Sequence, residues 1–220
     1  MEFLKKLFSK KKEVVPEPQF SQEQYNLDYE LKTKGLENIL GAMEELVGHA
    51  IIPFAVGGAV DMYYFSKHIP GTGFATMELL DPNGNGPKSN RLGTYELVAF
   101  TRQPYNVSQD TQTPFNLIER HICGIFTAIG GYSYDAVLQP NATAEIPEEE
   151  KENICLVFDH YQPNGTEFRI GERQHHLLLC LEVFRSELEF ALENGGAELL
   201  EKLKQAGHYP YSDLDREPVV

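Results

Sequence analysis

Two glutamates occupy matching places in two short, similar runs, Met77-Glu78-Leu79-Leu80 and Tyr95-Glu96-Leu97-Val98. Both runs lie in strand-like stretches, 73–80 and 94–101, joined by a turn-rich connection that includes Asp81-Pro82-Asn83-Gly84. If the stretches pair as a hairpin centred on Pro87, Glu78 lies opposite Glu96. Like charges directly opposite weaken a sheet, so the pair calls for an explanation. Three remain open: a different register, a water-facing side where repulsion is screened, or a carboxylate pair with split pKa values able to do acid–base work. The last makes Glu78 and Glu96 the candidates for a hydrolase or other enzyme. No nucleophile, metal or cofactor signature stands beside them.

The remaining motifs read as structure. Gly71-Thr72-Gly73 precedes a strand, whereas a dinucleotide fingerprint needs a helix there. Asp81 to Gly86 opens like a calcium loop, but Leu92 stands where the bidentate glutamate belongs and Pro87 follows the glycine. His175 and His176 are neighbours on a strand and point to opposite faces; His121 and Cys123 diverge on a helix. Cys180 follows Leu177-Leu178-Leu179, an apolar setting that keeps a thiol inert. No catalytic, cofactor-binding or metal residue is assigned, and no cofactor is expected.

Charge narrows the partners. The net charge of −14 opposes the basic stripe that nucleic-acid binding needs. Residues 1–19 read as a basic flexible tail and proline linker, with too small an apolar face for stable membrane anchoring. Five lysines against Glu2 give residues 1–12 a charge of +4, which leaves the remainder near −18. Such a body attracts a basic protein partner. The candidate contacts are Glu148, Glu149 and Glu150 in an exposed 145–152 loop, and Asp213 and Asp215 in an exposed acidic tail. Three cysteines without framework spacing, no long apolar run and no signal-peptide core point to a cytoplasmic protein.

Periodicity sets the frame. One helix is expected over 34–47, with Leu36, Leu40 and Met43 inward and Gly48 as its stop. A second runs from Pro114 to about Ile129, capped by Thr113 and ended by Gly130-Gly131. A third starts from a Ser186–Glu189 capping box with Leu188 and Leu192 inward, and a fourth buries Leu199, Leu200 and Leu203. Strands are expected near 60–66, 73–80, 94–101, 153–160, 167–171 and 175–183, with a hairpin turn at Asn164-Gly165. The core gathers Ile118, Ile122, Phe126, Leu156, Phe158, Leu177, Leu179 and Leu181. The fold class is α+β: one domain over 20–220, a mixed, mostly antiparallel sheet with helices packed against it.

Three segments carry a family resemblance: Gly71-Thr72-Gly73-Phe74-Ala75-Thr76-Met77-Glu78-Leu79, Gly93-Thr94-Tyr95-Glu96-Leu97-Val98 and Tyr209-Pro210-Tyr211-Ser212-Asp213-Leu214-Asp215-Arg216. The chain resembles the suppressor-of-fused domain, and chiefly its stand-alone bacterial members, over roughly residues 20 to 220. The resemblance implies a non-enzymatic protein-binding domain. It extends to an immunity or antitoxin-like factor that neutralises a basic toxin domain, and it brings no catalytic motif.

Overall fold

The computed structural model describes residues 20–149 and 152–220; the basic tail 1–19 and Glu150 lie outside the described residues. Helix α1 (Gln22–Leu40) opens on Ser21, whose hydroxyl accepts from Gln24 N while the Gln24 side chain accepts from Ser21 N. Two otherwise unsatisfied amides of the first turn are thereby paired. Gly41, at φ 78°, ends the helix by donating its N–H to Glu37 O.

The helix expected over 34–47 therefore starts twelve residues early and stops short of Met43. Residues beyond Gly41 run along the outer edge of β1 (Tyr63–Phe65), where Glu44 N donates to Tyr64 O and Gly48 and Met62 exchange backbone bonds. An edge strand needs such cover for its free amides and carbonyls. Met43 and Val47 still pack on the core from this segment, whereas Leu46 is exposed.

The other strands are β2 (Thr72–Ala75), β3 (Thr94–Thr101), β4 (Thr143–Ile146), β5 (Ile154–His160), β6 (Phe168–Ile170) and β7 (Arg173–Val183). They form one sheet in the order β1-β2-β3-β7-β5-β4, and β6 pairs with the start of β7. Among the described residues every strand pairing but the parallel β3–β7 is antiparallel. Helix α2 (Pro114–Tyr132) covers one face through Ile122, Ile125, Phe126 and Ile129. Helices α1, α3 (Arg185–Asn194) and α4 (Gly196–Gln205) cover the other, and α1 comes so close to β6 that a Cβ on Gly35 would meet the Phe168 ring. The fold is α+β, a mixed and mostly antiparallel sheet between helices.

Several boundaries differ from the sequence reading. Asn164-Gly165 turns the chain, but β5 and β6 do not pair with each other; each pairs with a different part of β7. The tight hairpin is β6–β7, closed over Gly171 and Glu172, with Gly171 at φ 61°. Helix α2 continues through Gly130-Gly131 to Tyr132. Helix α3 starts at Arg185 rather than from Ser186, because Glu187 accepts from Phe184 N; Leu192 faces solvent. Strand β4 takes Glu145 and Ile146 out of the expected loop.

The C-terminal segment is part of the sheet layer. Strands β3 and β7 pair from Thr94–Val98 against His175–Leu179 and then diverge. Tyr211 and Ser212 enter the gap: Ser212 N donates to Phe100 O, Glu182 N donates to Ser212 Oγ, and Ser212 Oγ donates to Cys180 O. The aromatic half of the tail is thus anchored on both sides, in line with its apolar area and few rotors.

Candidate functional site

The ladder between β2 and β3 decides where the two glutamates go. Its register pairs Thr72 with Thr101 and Ala75 with Val98, one residue out of step with the pairing that sets Glu78 opposite Glu96. Pairing then passes to a side chain: Thr76 N donates to Leu97 O, while Leu97 N donates to Thr76 Oγ1. Residues 76–80 leave the strand there, so the stretch expected as strand to Leu80 ends at Ala75.

Glu96, on the α1 face of β3, is wholly buried. Its Oε2 accepts from Thr76 Oγ1 at 2.6 Å and from Leu79 N at 3.3 Å. Its Oε1 accepts no hydrogen bond and faces Lys32 Nζ across 3.6 Å. Lys32 is itself 1% exposed. It donates to Met77 O and Leu80 O, each at 2.7 Å, and pairs with Asp28 Oδ2 at 2.8 Å. These three partners use its three donors and tie the irregular 76–80 segment to α1. Glu78 sits on that tied segment. Its Oε1 accepts from Asp61 N, and its Oε2 accepts from Met77 N at 3.3 Å.

Burial and then the nearby Glu96 charge push the Glu78 carboxyl up to about 8, against an ordinary 4.5. Burial likewise raises Glu96, opposed by Lys32 and the hydrogen bond from Thr76. The glutamates therefore sense each other, although they are not a cross-strand pair. At pH 7 Glu78 keeps its proton more often than not.

These groups border an open pocket of about 580 Å³ between α1 and the 76–86 segment. Asp28, Glu78 and Asp81 line it, with Lys32 as the single lining cation among the described residues. Tyr63 stands on its wall, and Tyr25, Tyr29 and Tyr134 stand on its rim with 43–46% of their surfaces exposed. A concave site with aromatic walls and a few polar groups has the anatomy of a binding site. Lys32, Asp28, Tyr25 and Tyr29 escape the sequence reading because the first half of α1 has no apolar stripe. The Asp28–Lys32 spacing of four, continued by Leu36 and Leu40, is the signal that points to them.

The other sites separate. Glu149 is exposed, Glu148 is half-buried with its N–H on Asn153 Oδ1, and Glu150 lies outside the described residues. Asp215 is exposed, but Asp213 is not. It is buried, accepting from Thr101 Oγ1 and from Arg102 N at 2.7 Å. The expectation of an exposed Asp213 is corrected: the tail turns inward because β3 offers these donors where β7 diverges. His175 and His176 go to opposite faces, ring against Phe168 and ring against Tyr95. Among the described residues no group of His, Cys, Asp and Glu is placed to hold a metal ion. Cys180 is buried, with its thiol pushed well up by desolvation. No helix among the described residues is long and apolar enough to cross a membrane.

No protein-family model and no curated protein matches the chain. Solved structures do. The chain superposes on the crystal structure of a Sufu–Fu complex with a TM-score of 0.59 at 16% identity, covering 88% of this chain and 91% of that one. The chain has a suppressor-of-fused fold. A suppressor-of-fused homologue from Neisseria gonorrhoeae FA 1090 matches with a TM-score of 0.56 at 14% identity, over 87% of this chain and 96% of its own. Drosophila Suppressor of Fused matches with a TM-score of 0.60 at 16% identity, again over 87% of this chain, which spans about half (51%) of that longer chain. In this fold the three quoted segments form β2 with the lysine-tied loop, β3, and the inserted tail.

Proposed function

We propose that this chain is a protein-binding domain of the suppressor-of-fused type, and that it receives its partner at the pocket beside α1. The observation that carries this reading is the ring of half-exposed tyrosines, Tyr25, Tyr29 and Tyr134, around a concave site. Tyrosine is among the residues that dominate interface energies, since it offers a large contact with few rotors to freeze. The fold adds support, because one similar solved structure is a complex of Sufu with Fu. The acidic balance of −14 adds a preference for a basic partner. Glu148, Glu149, Glu150 and Asp215 serve as outlying contacts that steer it.

The experiment is capture of partners by the full chain, followed by reconstitution of the binary complex and calorimetry. Tyr29→Ala with Tyr134→Ala is expected to weaken that complex at least tenfold while leaving the circular dichroism unchanged. Unaltered affinity in the double variant sinks the pocket as the docking place. The narrower reading, an immunity factor that neutralises a basic toxin domain, is tested by co-expression with a toxin encoded beside it. Protection of growth that is lost in the tyrosine variant supports it.

A second reading has one observation of its own, the raised pKa of Glu78 beside Glu96. A carboxyl that stays protonated near neutral pH can serve as a general acid. A turnover abolished by Glu78→Gln replaces the binding reading.

A further inference from the structure

We infer that the pocket beside α1 is a recognition site for a basic side chain, arginine above all, presented by the partner protein. The inference rests on the binding reading above and gives its partner a chemistry.

The lining of the pocket is acidic. Among the described lining residues three acidic side chains, Asp28, Glu78 and Asp81, face one ammonium, Lys32, and Glu78, protonated while the pocket is empty, ionises against an arriving cation. Lys32 is already committed, its donors spent on Met77 O, Leu80 O and Asp28. Asp81 is committed as well, accepting from Asn85 N and Asn85 Nδ2. Acceptors nevertheless remain. Asp28 Oδ1 borders the pocket, is buried and accepts no hydrogen bond, and Glu78 Oε1 and Oε2 each accept one backbone amide; Glu96, wholly enclosed behind Lys32, is out of a ligand's reach. A buried acceptor without a donor costs free energy that a ligand's N–H groups recover.

The walls choose the kind of cation. Tyr29 and Tyr63 have ring centroids 6.4 Å apart, inclined by 56°. Aromatic faces beside carboxylates suit a planar guanidinium, which stacks on a ring and donates five hydrogen bonds in fixed directions. The pocket, at about 580 Å³, exceeds one side chain and admits its flanking backbone as well.

The test uses the full chain, labelled for amide NMR, and four capped tripeptides of the form Gly-X-Gly. X is arginine, lysine, citrulline or glutamate. The arginine peptide is expected to shift amides of residues 25–32 and 77–81, with lysine weaker and citrulline at least fivefold weaker. Glu78→Gln is expected to cost the arginine peptide at least fivefold in affinity while thermal unfolding remains cooperative. Tyr29→Leu, at an exposed rim position, is expected to do the same without altering a carboxylate, and it decides the matter if Glu78→Gln folds poorly. Equal binding of arginine and citrulline, or no shift with any peptide, overturns the inference. Spermidine binding as tightly as the arginine peptide overturns the protein source in favour of a free polyamine. If a captured partner depends on Tyr29 and Tyr134 while the peptides fail, the binding reading stands and this inference falls. If the peptides bind while every captured partner ignores the rim, the reverse holds.

Discussion

Two buried carboxylate–cation clusters lie on the same face of the sheet, and they are finished differently. Glu187 of α3 meets Arg216 of the tail with hydrogen bonds of 2.6 and 2.8 Å, and also accepts from Val219 N at 2.9 Å and Phe184 N at 3.0 Å. Burial alone drives its pKa up, but the Arg216 hydrogen bonds and the two amides hold it below the ordinary value. Glu96 of α1's cluster has one hydroxyl, one long amide contact and a lysine 3.6 Å away; it is raised, and it raises Glu78. Each cluster sets a buried glutamate against a basic side chain, arginine in one and lysine in the other, and the burial is similar. The number of donors differs. A carboxylate with two donors on each oxygen is a staple, whereas an unsaturated cluster beside a pocket is poised to gain from a ligand.

The contrast breaks most readily at the staple. Arg216→Met leaves Glu187 buried with only two amides, and removing one partner of a buried ion pair costs about 3–5 kcal/mol. Denaturant unfolding should show a loss of that size and release of the C-terminal segment to protease. A loss below about 1 kcal/mol would mean that the tail holds through Tyr211 and Ser212 alone.

Lys32→Met should come next, at about 3 kcal/mol near pH 7, since it strands two carbonyls and leaves Asp28 and Glu96 without their cation. Burial already raises Glu96 against the pull of Lys32, so without the cation Glu96 takes a proton more readily. The loss should therefore shrink at pH 5, and a pH-independent loss would show that Lys32 acts only as a clamp on 76–80.

The two clusters should also respond to pH with opposite signs. Glu78 has a folded pKa of about 8 against an ordinary 4.5, so between those values the folded state holds a proton that the unfolded state has released. Its contribution therefore falls as pH rises through that window and is flat beyond it. Glu78→Gln removes the decline and should gain about 1–2 kcal/mol on wild type between pH 5 and 8. Glu187 has a depressed folded pKa, so its contribution is full above the unfolded value and is lost as pH falls through the folded one. Glu187→Gln should therefore differ least from wild type in acid. Parallel pH profiles for the two variants would erase the distinction.

The same contrast explains what the sequence reveals. Strand β3, helix α2 from Thr113 onward and the inward leucines of α4 follow from apolar spacing, and they match because those elements bury apolar residues. The first half of α1 turns the polar Asp28 and Lys32 inward instead, so its period carries no hydrophobic signal and twelve helical residues are missed. Glu78 and Glu96 stand out by their charge and their matching runs, yet their register does not, because Thr76 replaces a backbone bond with its side chain. Local rules fail where polar groups have been placed at a site, which is where such failures are expected.

The smallest effects separate two neighbours in the tail. Asp213 and Asp215 look alike in sequence, both acidic and two residues apart. Asp213 is buried and accepts from Thr101 Oγ1 and Arg102 N, with the Arg102 guanidinium 3.7 Å away. Asp213→Ala strands two donors at the point where the tail enters the sheet and should cost about 1–3 kcal/mol. Asp215 is exposed, so Asp215→Ala should stay within about 0.5 kcal/mol of wild type. If Asp215 steers a basic partner, its loss should appear only in the association rate at low salt and vanish as screening increases. A stability cost for Asp215→Ala comparable to that for Asp213→Ala would place both residues in the staple and leave the tail no free acidic contact.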